Sequence, residues 1–479
     1  MRHKPEPSRR VLLMLPALVA LGLTACGGSA STGNAVAATA NVNRPPVVAK
    51  PLAPQTATVA SAFSLDVSQG GTTFTDPDGD TVALTVAVSP SGSGLTTSGA
   101  TLAGTATTAG NYTVSVTASD GRGGTATTSF SLVIAPQAGV PVLPAAAFGY
   151  SDDSIALPAQ FRVGPGNPAN ADTTPADNPV TNAGATLGRV LFYDKRLSVN
   201  DTVACASCHV QAAGFGDTRR LSVGFQGALT ARHSMGLANV RYYLPGRFFW
   251  DERAPTLEAQ VLQPIQNVSE MGSTLPSVVS KLSTQAFYGP LFMAAFGDAA
   301  ITSDRIARAL AQFVRAMVSY RSKYDAAFTN GTPNFAATLT AQEEQGRLIF
   351  EGTGRCNTCH GTVGHVADAA HNNGLDAVLV DAGAGGGRFK APALRNIALR
   401  APYMHDGRFT TLEQVIDHYD SGVVDSPTLS PRLRGPDGTP RRLNLSLAQK
   451  QALVAFLGTL TDTALVTDPK FADPFPASR

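Results

Sequence analysis

The stretch Cys205-Ala206-Ser207-Cys208-His209 decides the fold of this chain, and it recurs as Cys356-Asn357-Thr358-Cys359-His360. C-x-x-C-H is the pattern of a c-type haem attachment site. Two thiols three positions apart reach the two vinyl groups of one porphyrin, and the adjacent histidine binds the iron as the proximal ligand. A zinc ribbon would pair its C-x-x-C units about 15–20 residues apart, and a redox C-x-x-C would not need a histidine next in both copies. The repeat therefore predicts two covalently bound haems c.

The first 26 residues resemble a bacterial lipoprotein signal sequence. Four basic residues lie within residues 2–10, and residues 11–23 form an apolar segment too short to span a bilayer as a stable helix. The sequence Leu23-Thr24-Ala25-Cys26 resembles a lipobox that is cleaved before Cys26, whose thiol is then lipidated. We therefore expect a signal peptide over residues 1–25 and a lipid-anchored periplasmic protein. Gly27 follows, where an Asp would suggest retention in the inner membrane, so the outer membrane is favoured. An ordinary signal peptide with an incidental cysteine is the alternative.

The composition is that of a globular protein with two or more domains, because the chain has 479 residues of which 43% are hydrophobic. The formal net charge is +2, and removal of residues 1–25, with four Lys or Arg and one Glu, leaves −1. This charge does not support nucleic-acid binding. No later stretch is apolar enough to span a membrane.

Residues 26–46 read as a flexible tether, and residues 47–135 as a β-module. In the second range apolar residues alternate with polar ones, as in residues 63–67, 82–88 and 112–116, and Gly, Asp and Ser turns separate the runs. Such short alternating strands predict an antiparallel sandwich. The stretch resembles bacterial cadherin-like or immunoglobulin-like modules, and a spacer or adhesion role is the favoured function.

Four aspartates of the module are candidate calcium ligands. Asp76, Asp78 and Asp80 stand at alternate positions, and Asp120 could join them, since calcium prefers carboxylate oxygen. The alternative is a turn in which the aspartates accept hydrogen bonds from backbone N–H groups.

Beyond a Pro/Ala-rich linker at residues 136–150, the chain is predicted to be mainly helical. Apolar residues at helical spacing predict helices over residues 182–192 and 303–320. Capping boxes at residues 340–343 and 446–449 predict two more helix starts. With one attachment motif in each half, we expect an N-terminal haem domain over 151–335 and a C-terminal haem domain over 336–470.

Several distinctive sequence blocks lie between about residue 150 and residue 465. They are residues 187–194 (LGRVLFYD), 248–253 (FFWDER), 264–267 (PIQN) with Glu270-Met271, 389–396 (FKAPALRN) and 401–408 (APYMHDGR). Together with the two C-x-x-C-H motifs, these blocks resemble the bacterial di-haem cytochrome c peroxidase family, which includes the MauG-like enzymes. The resemblance implies two cytochrome-c-like domains, with peroxide reacting at the N-terminal haem and electrons entering at the C-terminal haem from a small cytochrome c or cupredoxin.

The same resemblance assigns two catalytic residues. Trp250, the only tryptophan of the chain, matches the residue that relays charge between the haems. Glu270 matches the distal acid/base group, and a carboxyl group can shuttle the proton that O–O cleavage requires. A buried core tryptophan and a surface glutamate in a loop are the alternatives.

The chain departs from the peroxidase pattern at two positions. Where those enzymes have a distal histidine, this sequence has Phe225, which cannot ligate iron. His233 lies nearby, either as a substitute pocket residue or as a hydrogen-bonded structural histidine. At the C-terminal haem the peroxidases use a methionine as the second ligand, whereas the aligned residue is Tyr419, as in MauG-like members. Met404 and His418 are the competing ligands.

Three functions follow from the resemblance. The first is a peroxidase that reduces H₂O₂ to water with electrons from a small periplasmic redox protein. The second is a MauG-like oxidase that uses H₂O₂ to oxidise a protein or organic substrate, which Tyr419 favours. The third is a non-catalytic electron-transfer lipoprotein, and a homodimer is compatible with all three.

Overall fold

The computed structural model of the protein describes residues 42–164 and 166–476. The predicted signal peptide, the predicted lipidation site Cys26 and most of the predicted tether lie outside the described residues. Within the described ranges, the longest apolar helices fall short of what a bilayer crossing requires. The described chain divides into an all-β module followed by two mainly helical halves, as the sequence predicts.

The β-module is a sandwich of two sheets. The strands are β1 Val47–Val48, β2 Gln55–Thr58, β3 Ala62–Asp66, β4 Phe74–Thr75, β5 Ala83–Ser89, β6 Leu95–Ser98, β7 Thr101–Thr105, β8 Gly110–Ser119 and β9 Thr125–Ala135. A four-stranded sheet has the order β2-β9-β8-β5, in which β2 and β9 are parallel, and a three-stranded sheet has the order β3-β7-β6.

The alternation in the sequence produces the core of the sandwich. Along β8 the buried residues are Tyr112, Val114, Val116 and Ala118, and their neighbours face outward. These side chains pack with the buried Leu102 of the opposite sheet. Successive residues of a strand point to opposite faces, so an alternating sequence buries one face of each sheet.

The two haem halves are helical with long loops. Four two-residue strands are interspersed, namely β10 Phe328–Thr329, β11 Thr332–Pro333, β12 Ala370–His371 and β13 Phe389–Lys390. The helices are α1 Ala159–Arg162, α2 Asn182–Tyr193, α3 Leu257–Val261, α4 Gln263–Gln266, α5 Leu275–Ser283, α6 Tyr288–Phe296, α7 Ser303–Arg315, α8 Lys323–Ala326, α9 Phe335–Thr338, α10 Ala341–Glu351, α11 Leu412–Asp417, α12 Leu447–Gly458 and α13 Thr463–Thr467.

Each half is built on one close helix crossing. In the N-terminal half α2 packs on α7, and in the C-terminal half α10 packs on α12. A β-carbon at Gly188 would lie 2.0 Å from the Ala309 carbonyl oxygen, and one at Gly346 would lie 1.9 Å from the Ala452 carbonyl oxygen. Glycine lets the two helix backbones touch in each half. A C-x-x-C-H motif follows the first helix of each crossing, beginning at Cys205 after α2 and at Cys356 after α10.

The two ends of the haem region pack together in the core of the N-terminal half. Phe148, in the predicted linker, packs on the core of the N-terminal half, and the Arg189 guanidinium lies 5.3 Å from its ring centroid. Leu465, near the end of the range predicted for the C-terminal haem domain, and Phe471, just beyond that range, pack in the same core. Tyr193 donates a 2.6 Å hydrogen bond to the Phe471 carbonyl. The C-terminal tail therefore ties the second half to the first.

Candidate functional site

The first C-x-x-C-H motif lines a cavity in the N-terminal half. Cys205, Cys208 and His209 follow α2 and face Glu270 and Met271 across an empty volume of about 710 Å³. The other lining residues are mostly apolar and come from α2, α3 and α7, among them Phe192, Val261, Leu310 and Val314.

His209 is oriented for metal binding by the backbone. Its Nδ1 lies 2.9 Å from the carbonyl oxygen of Phe215, which accepts a hydrogen bond from an Nδ1–H group. That bond leaves Nε2 free as a ligand atom, the arrangement expected for a proximal histidine. Burial lowers the pKa of His209, which also favours the neutral ring that metals require.

The second motif lines a larger cavity in the C-terminal half, with about 1500 Å³ of empty space. Cys356, Cys359 and His360 line it, and burial lowers the pKa of His360 to about 4. Apolar side chains from α10, α11 and α12 form much of the wall, including Phe350, Leu412, Ile416, Leu453 and Leu457.

Both cavities fit a covalently bound haem c. Each combines two free thiols and a histidine with apolar walls, which suits a porphyrin better than a hydrated metal ion. In the C-terminal cavity, Nε and Nη1 of Arg441 are buried and have no hydrogen-bond partner among the described residues. Leaving a buried donor unpaired costs free energy, so these donors also indicate a ligand with hydrogen-bond acceptors in the cavity.

Glu270 lies where an acid/base group is needed. Its side chain lines the N-terminal cavity together with His209, and Asn267 Nδ2 donates a 2.8 Å hydrogen bond to Glu270 Oε1. Burial raises the pKa of Glu270, and the positive charge of Arg253 opposes this shift. The side chain is therefore held toward the cavity, unlike that of a surface glutamate.

Phe225 and His233 are placed differently from a distal ligand. The Phe225 ring packs on Gly272, whose β-carbon would lie 2.3 Å from Phe225 Cε1, while the backbone of Gly224 reaches the N-terminal cavity. His233 is buried, and its Nδ1 lies 3.2 Å from the carbonyl oxygens of Arg219 and Arg220. The sequence leaves two roles open for His233, and these contacts favour the hydrogen-bonded structural role over that of a substitute pocket residue.

Trp250 lies between the two haem cavities. It lines the C-terminal cavity and also an interhaem cavity that reaches His209 and Glu270. Trp250 Nε1 donates a 2.7 Å hydrogen bond to the His233 carbonyl, and its ring lies edge-on to His405, with centroids 6.4 Å apart. A side chain in contact with both cavities suits a relay between them.

Tyr419 and Met404 both line the C-terminal cavity and share one neighbour. Asn373 Nδ2 lies 3.5 Å from the Tyr419 hydroxyl oxygen and 3.4 Å from Met404 Sδ. Burial raises the pKa of Tyr419 to about 12, and the Asn373 hydrogen bond opposes this shift. His418 Nε2 instead lies 3.0 Å from the Asn373 carbonyl oxygen, so this nitrogen is occupied.

The aspartates of the β-module are brought together only in part. Asp76, Asp78 and Asp80 have carboxylate oxygens within 4.8 Å of one another, but Asp78 pairs with Arg44 and Asp80 with Arg122. Asp120 accepts hydrogen bonds from the backbone N–H groups of residues 122 and 124, as in the turn alternative.

Three site residues are not apparent from the sequence alone. Asn373 contacts both candidate ligands, His405 stacks on Phe389 with centroids 3.7 Å apart, and Lys390 lies buried between the cavities. His405 and Lys390 lie in the blocks 401–408 and 389–396, so the family resemblance of these blocks was a signal for both residues. Asn373 lies in a loop without such a motif.

Comparisons with known proteins agree with this geometry. The model of the family described as "Di-haem cytochrome c peroxidase" matches residues 182–333, and an Ig-domain model matches residues 45–135. The methylamine utilization protein MauG of Methylorubrum extorquens is 34% identical over 330 residues, which cover 66% of this chain and 88% of MauG. The chain belongs to the di-haem cytochrome c peroxidase/MauG family.

Other members of the di-haem family give the same result. The cytochrome c551 peroxidase of Nitrosomonas europaea is 33% identical, over 55% of this chain and 81% of that protein. The crystal structure of a MauG-like protein associated with microbial copper homeostasis is 34% identical with a TM-score of 0.56, covering 66% of this chain and 99% of that one. The diheme peroxidase BthA from Burkholderia thailandensis shares the fold at 23% identity and a TM-score of 0.51.

Membership confirms the predicted fold class, the two covalently bound haems c and an enzyme of the haem peroxidase type. It also implies H₂O₂ as a substrate and a redox protein as the electron donor. The named relatives include both peroxidases and MauG proteins, and members of the family are periplasmic.

Proposed function

We propose that this protein is a periplasmic di-haem peroxidase that reduces one H₂O₂ with two electrons and two protons to two waters. The observation that supports it is Glu270, whose carboxyl group lines the cavity of His209 and is held there by Asn267. When bound, the N-terminal haem supplies an iron centre at which peroxide is reduced.

The side chains around this cavity supply the proton transfer. Glu270 takes a proton from one peroxide oxygen and returns it to the other, so that the second oxygen leaves as water. The raised pKa of Glu270 brings its carboxyl group closer to the operating pH, where acid/base catalysis is most efficient. Phe225 offers no ligand atom and packs on Gly272, so the peroxide side needs no displacement of a protein ligand.

The electrons pass from the C-terminal half to the N-terminal half. A small cytochrome c or cupredoxin delivers them at the C-terminal half, and Trp250 conducts them to the N-terminal half. Its contact with both cavities supports this role. His405 lies edge-on to Trp250 and lines the C-terminal cavity, so it extends the aromatic contact on that side.

Tyr419 favours a second candidate function, a MauG-like oxidation of a protein or organic substrate by H₂O₂. Its hydroxyl lines the C-terminal cavity near Asn373. A tyrosinate ligand would stabilise oxidised iron, whereas Met404 as the ligand would raise the potential and suit ordinary electron delivery. Relatives of this chain include three MauG proteins.

Stopped-flow spectroscopy of the diferric protein with H₂O₂, followed by turnover with reduced cytochrome c, tests the proposal. We expect a direct reaction of the oxidised protein and sustained oxidation of cytochrome c. Direct reaction without cytochrome turnover would favour the MauG-like oxidase. Absence of any reaction with H₂O₂, in the oxidised or the half-reduced protein, would leave only the non-catalytic electron-transfer function.

We further propose that Cys26 carries a lipid anchor. The test uses the full chain expressed in a bacterial host. Cys26→Ser should move the protein from the membrane fraction to the soluble periplasmic fraction, because a lipid chain provides the hydrophobic attachment. The β-module would then act as a spacer between the anchor and the haem halves. Continued membrane association of the variant would contradict the anchor.

A further inference from the structure

Lys390 is a buried lysine at the boundary of the two haem halves. It is 4% exposed and ends β13 of the C-terminal half. Its Nζ lies 4.0 Å from the ring centroid of Tyr243 and 4.7 Å from that of Phe248, both in the N-terminal half. The only hydrogen bond of Nζ to a described residue runs to the Arg247 carbonyl oxygen, at 3.2 Å.

This ammonium group has no carboxylate partner among the residues that the structure describes. Glu252 is the nearest opposing charge, but its Oε1 accepts the hydrogen bond of the Tyr243 hydroxyl. A buried ammonium without a counter-ion is strongly disfavoured. Burial accordingly lowers the pKa of Lys390 to about 7, and Glu252 only partly opposes the shift.

The other cations of the interhaem cavity are already paired. Arg232 binds Asp381 and Asp251, with closest contacts of 2.7 Å, and Arg253 binds Asp251 at 2.9 Å. Of the three cations that line this cavity, Lys390 is the one without an ion pair to a described residue. An anionic group of a ligand in this region would therefore make its most favourable electrostatic interaction with Lys390.

Lys390 also lines the C-terminal haem cavity, as do its neighbours Phe389, Ala391 and Pro392. Its backbone N–H donates a 2.8 Å hydrogen bond to the Trp250 carbonyl, which fixes the strand beside the relay residue. A haem c carries two propionate groups, and these are the anions that the cavity would hold.

We propose that Lys390 is a positioning residue whose ammonium group binds a propionate of the C-terminal haem. The contact completes the hydrogen bonding of a buried cation and ties that haem to the strand that bonds to Trp250. Because a positive charge beside a haem favours the reduced iron, Lys390 raises the midpoint potential of the C-terminal haem. The inference rests on the presence of two haems and holds for either proposed activity.

The test compares the wild-type holoprotein with Lys390→Met, Lys390→Arg and the control Lys323→Met, a lysine that pairs with Glu343 and is 42% exposed. Spectroelectrochemistry should show a lowered midpoint potential of the C-terminal haem in K390M only, with that of K390R close to wild type. The propionate bending band in resonance Raman spectra should shift in K390M and not in K323M. Intact mass should show two haems in every variant.

An unchanged potential and propionate band in K390M would overturn the proposal, as would equal shifts in K390M and K390R, which would indicate packing instead of charge. If K390M does not accumulate, Lys390→Gln replaces it with the same two readouts and the same criteria. None of these readouts depends on peroxide turnover, so a failure of the proposed function leaves this test intact.

Discussion

The two haem halves share a scaffold and differ in the groups that line their cavities. Both halves have a glycine-mediated helix crossing and a C-x-x-C-H motif whose histidine lines the cavity. The N-terminal cavity adds a carboxyl group, Glu270, whereas the C-terminal cavity adds Tyr419, Met404 and Asn373. The shared part attaches a haem, and we propose that the differing part determines whether that haem reacts with peroxide or exchanges electrons.

The comparison also shows how a departure from a family pattern can be accommodated. A phenylalanine replaces the expected ligand at position 225, and its ring packs away on Gly272. At the C-terminal cavity, two side chains with ligand atoms converge on one amide. The N-terminal half therefore loses a ligand, while the C-terminal half offers two.

Removing the carboxyl group from the N-terminal half should have the largest effect. Glu270→Gln should slow peroxide cleavage by about 10²–10⁴-fold, the usual contribution of a positioned acid/base group. The amide keeps the shape of the side chain, so the haem content should not change. Stopped-flow mixing with H₂O₂ measures the rate.

A matched change in the other half is the control for this variant. Glu413→Gln replaces an exposed glutamate of α11 and should leave the rate as in wild type. A normal rate in Glu270→Gln would assign the proton transfer to another group of the interhaem cavity, His233 being the first to test.

Exchanging the ligand of the C-terminal half should have the next largest effect. Tyr419→Met should raise the midpoint potential of the C-terminal haem and leave that of the N-terminal haem unchanged, because a thioether ligand favours reduced iron. Spectroelectrochemistry resolves the two haems. The variant should also increase turnover with reduced cytochrome c at the expense of the MauG-like reaction.

Met404→Leu distinguishes the two candidate ligands. If Tyr419 is the ligand, this variant should keep the potential and spectrum of wild type. Loss of the axial-ligand signature in Met404→Leu, with a normal spectrum in Tyr419→Met, would instead make Met404 the ligand.

The sequence predicts the parts of the site that are local in the chain. Attachment motifs, helix caps and alternating strands need only neighbouring residues, and Thr340 and Ser446 form the capping boxes expected of them. The contacts of Lys390 join segments well over 100 residues apart, and no periodicity encodes them. The same holds for Leu465 and Phe471, which pack in the core of the N-terminal half although they lie near the C-terminus.

One non-local feature does leave a signal in the sequence. Residues 188–192 read Gly-Arg-Val-Leu-Phe and residues 346–350 read Gly-Arg-Leu-Ile-Phe, so the helix before each attachment motif carries the same pattern. In the structure each glycine meets the partner helix, and each phenylalanine packs on a phenylalanine of that helix, Phe313 or Phe456. The repeat marks the crossing point of each half.

The smallest expected effects come from these two glycines, and they test whether the halves are equivalent. Gly188→Ala and Gly346→Ala each place a β-carbon about 2 Å from a carbonyl oxygen, so the helices must separate, at a cost of about 1–3 kcal/mol for overpacking. Gly458→Ala is the control, because nothing lies within 4 Å of its β-carbon. Thermal unfolding followed by haem absorbance should show a lower unfolding temperature for both crossing variants and an unchanged one for the control.

Because the C-terminal tail packs in the N-terminal core, both variants should shift one common transition. Two separate transitions, each moved by one variant only, would show that the halves unfold independently.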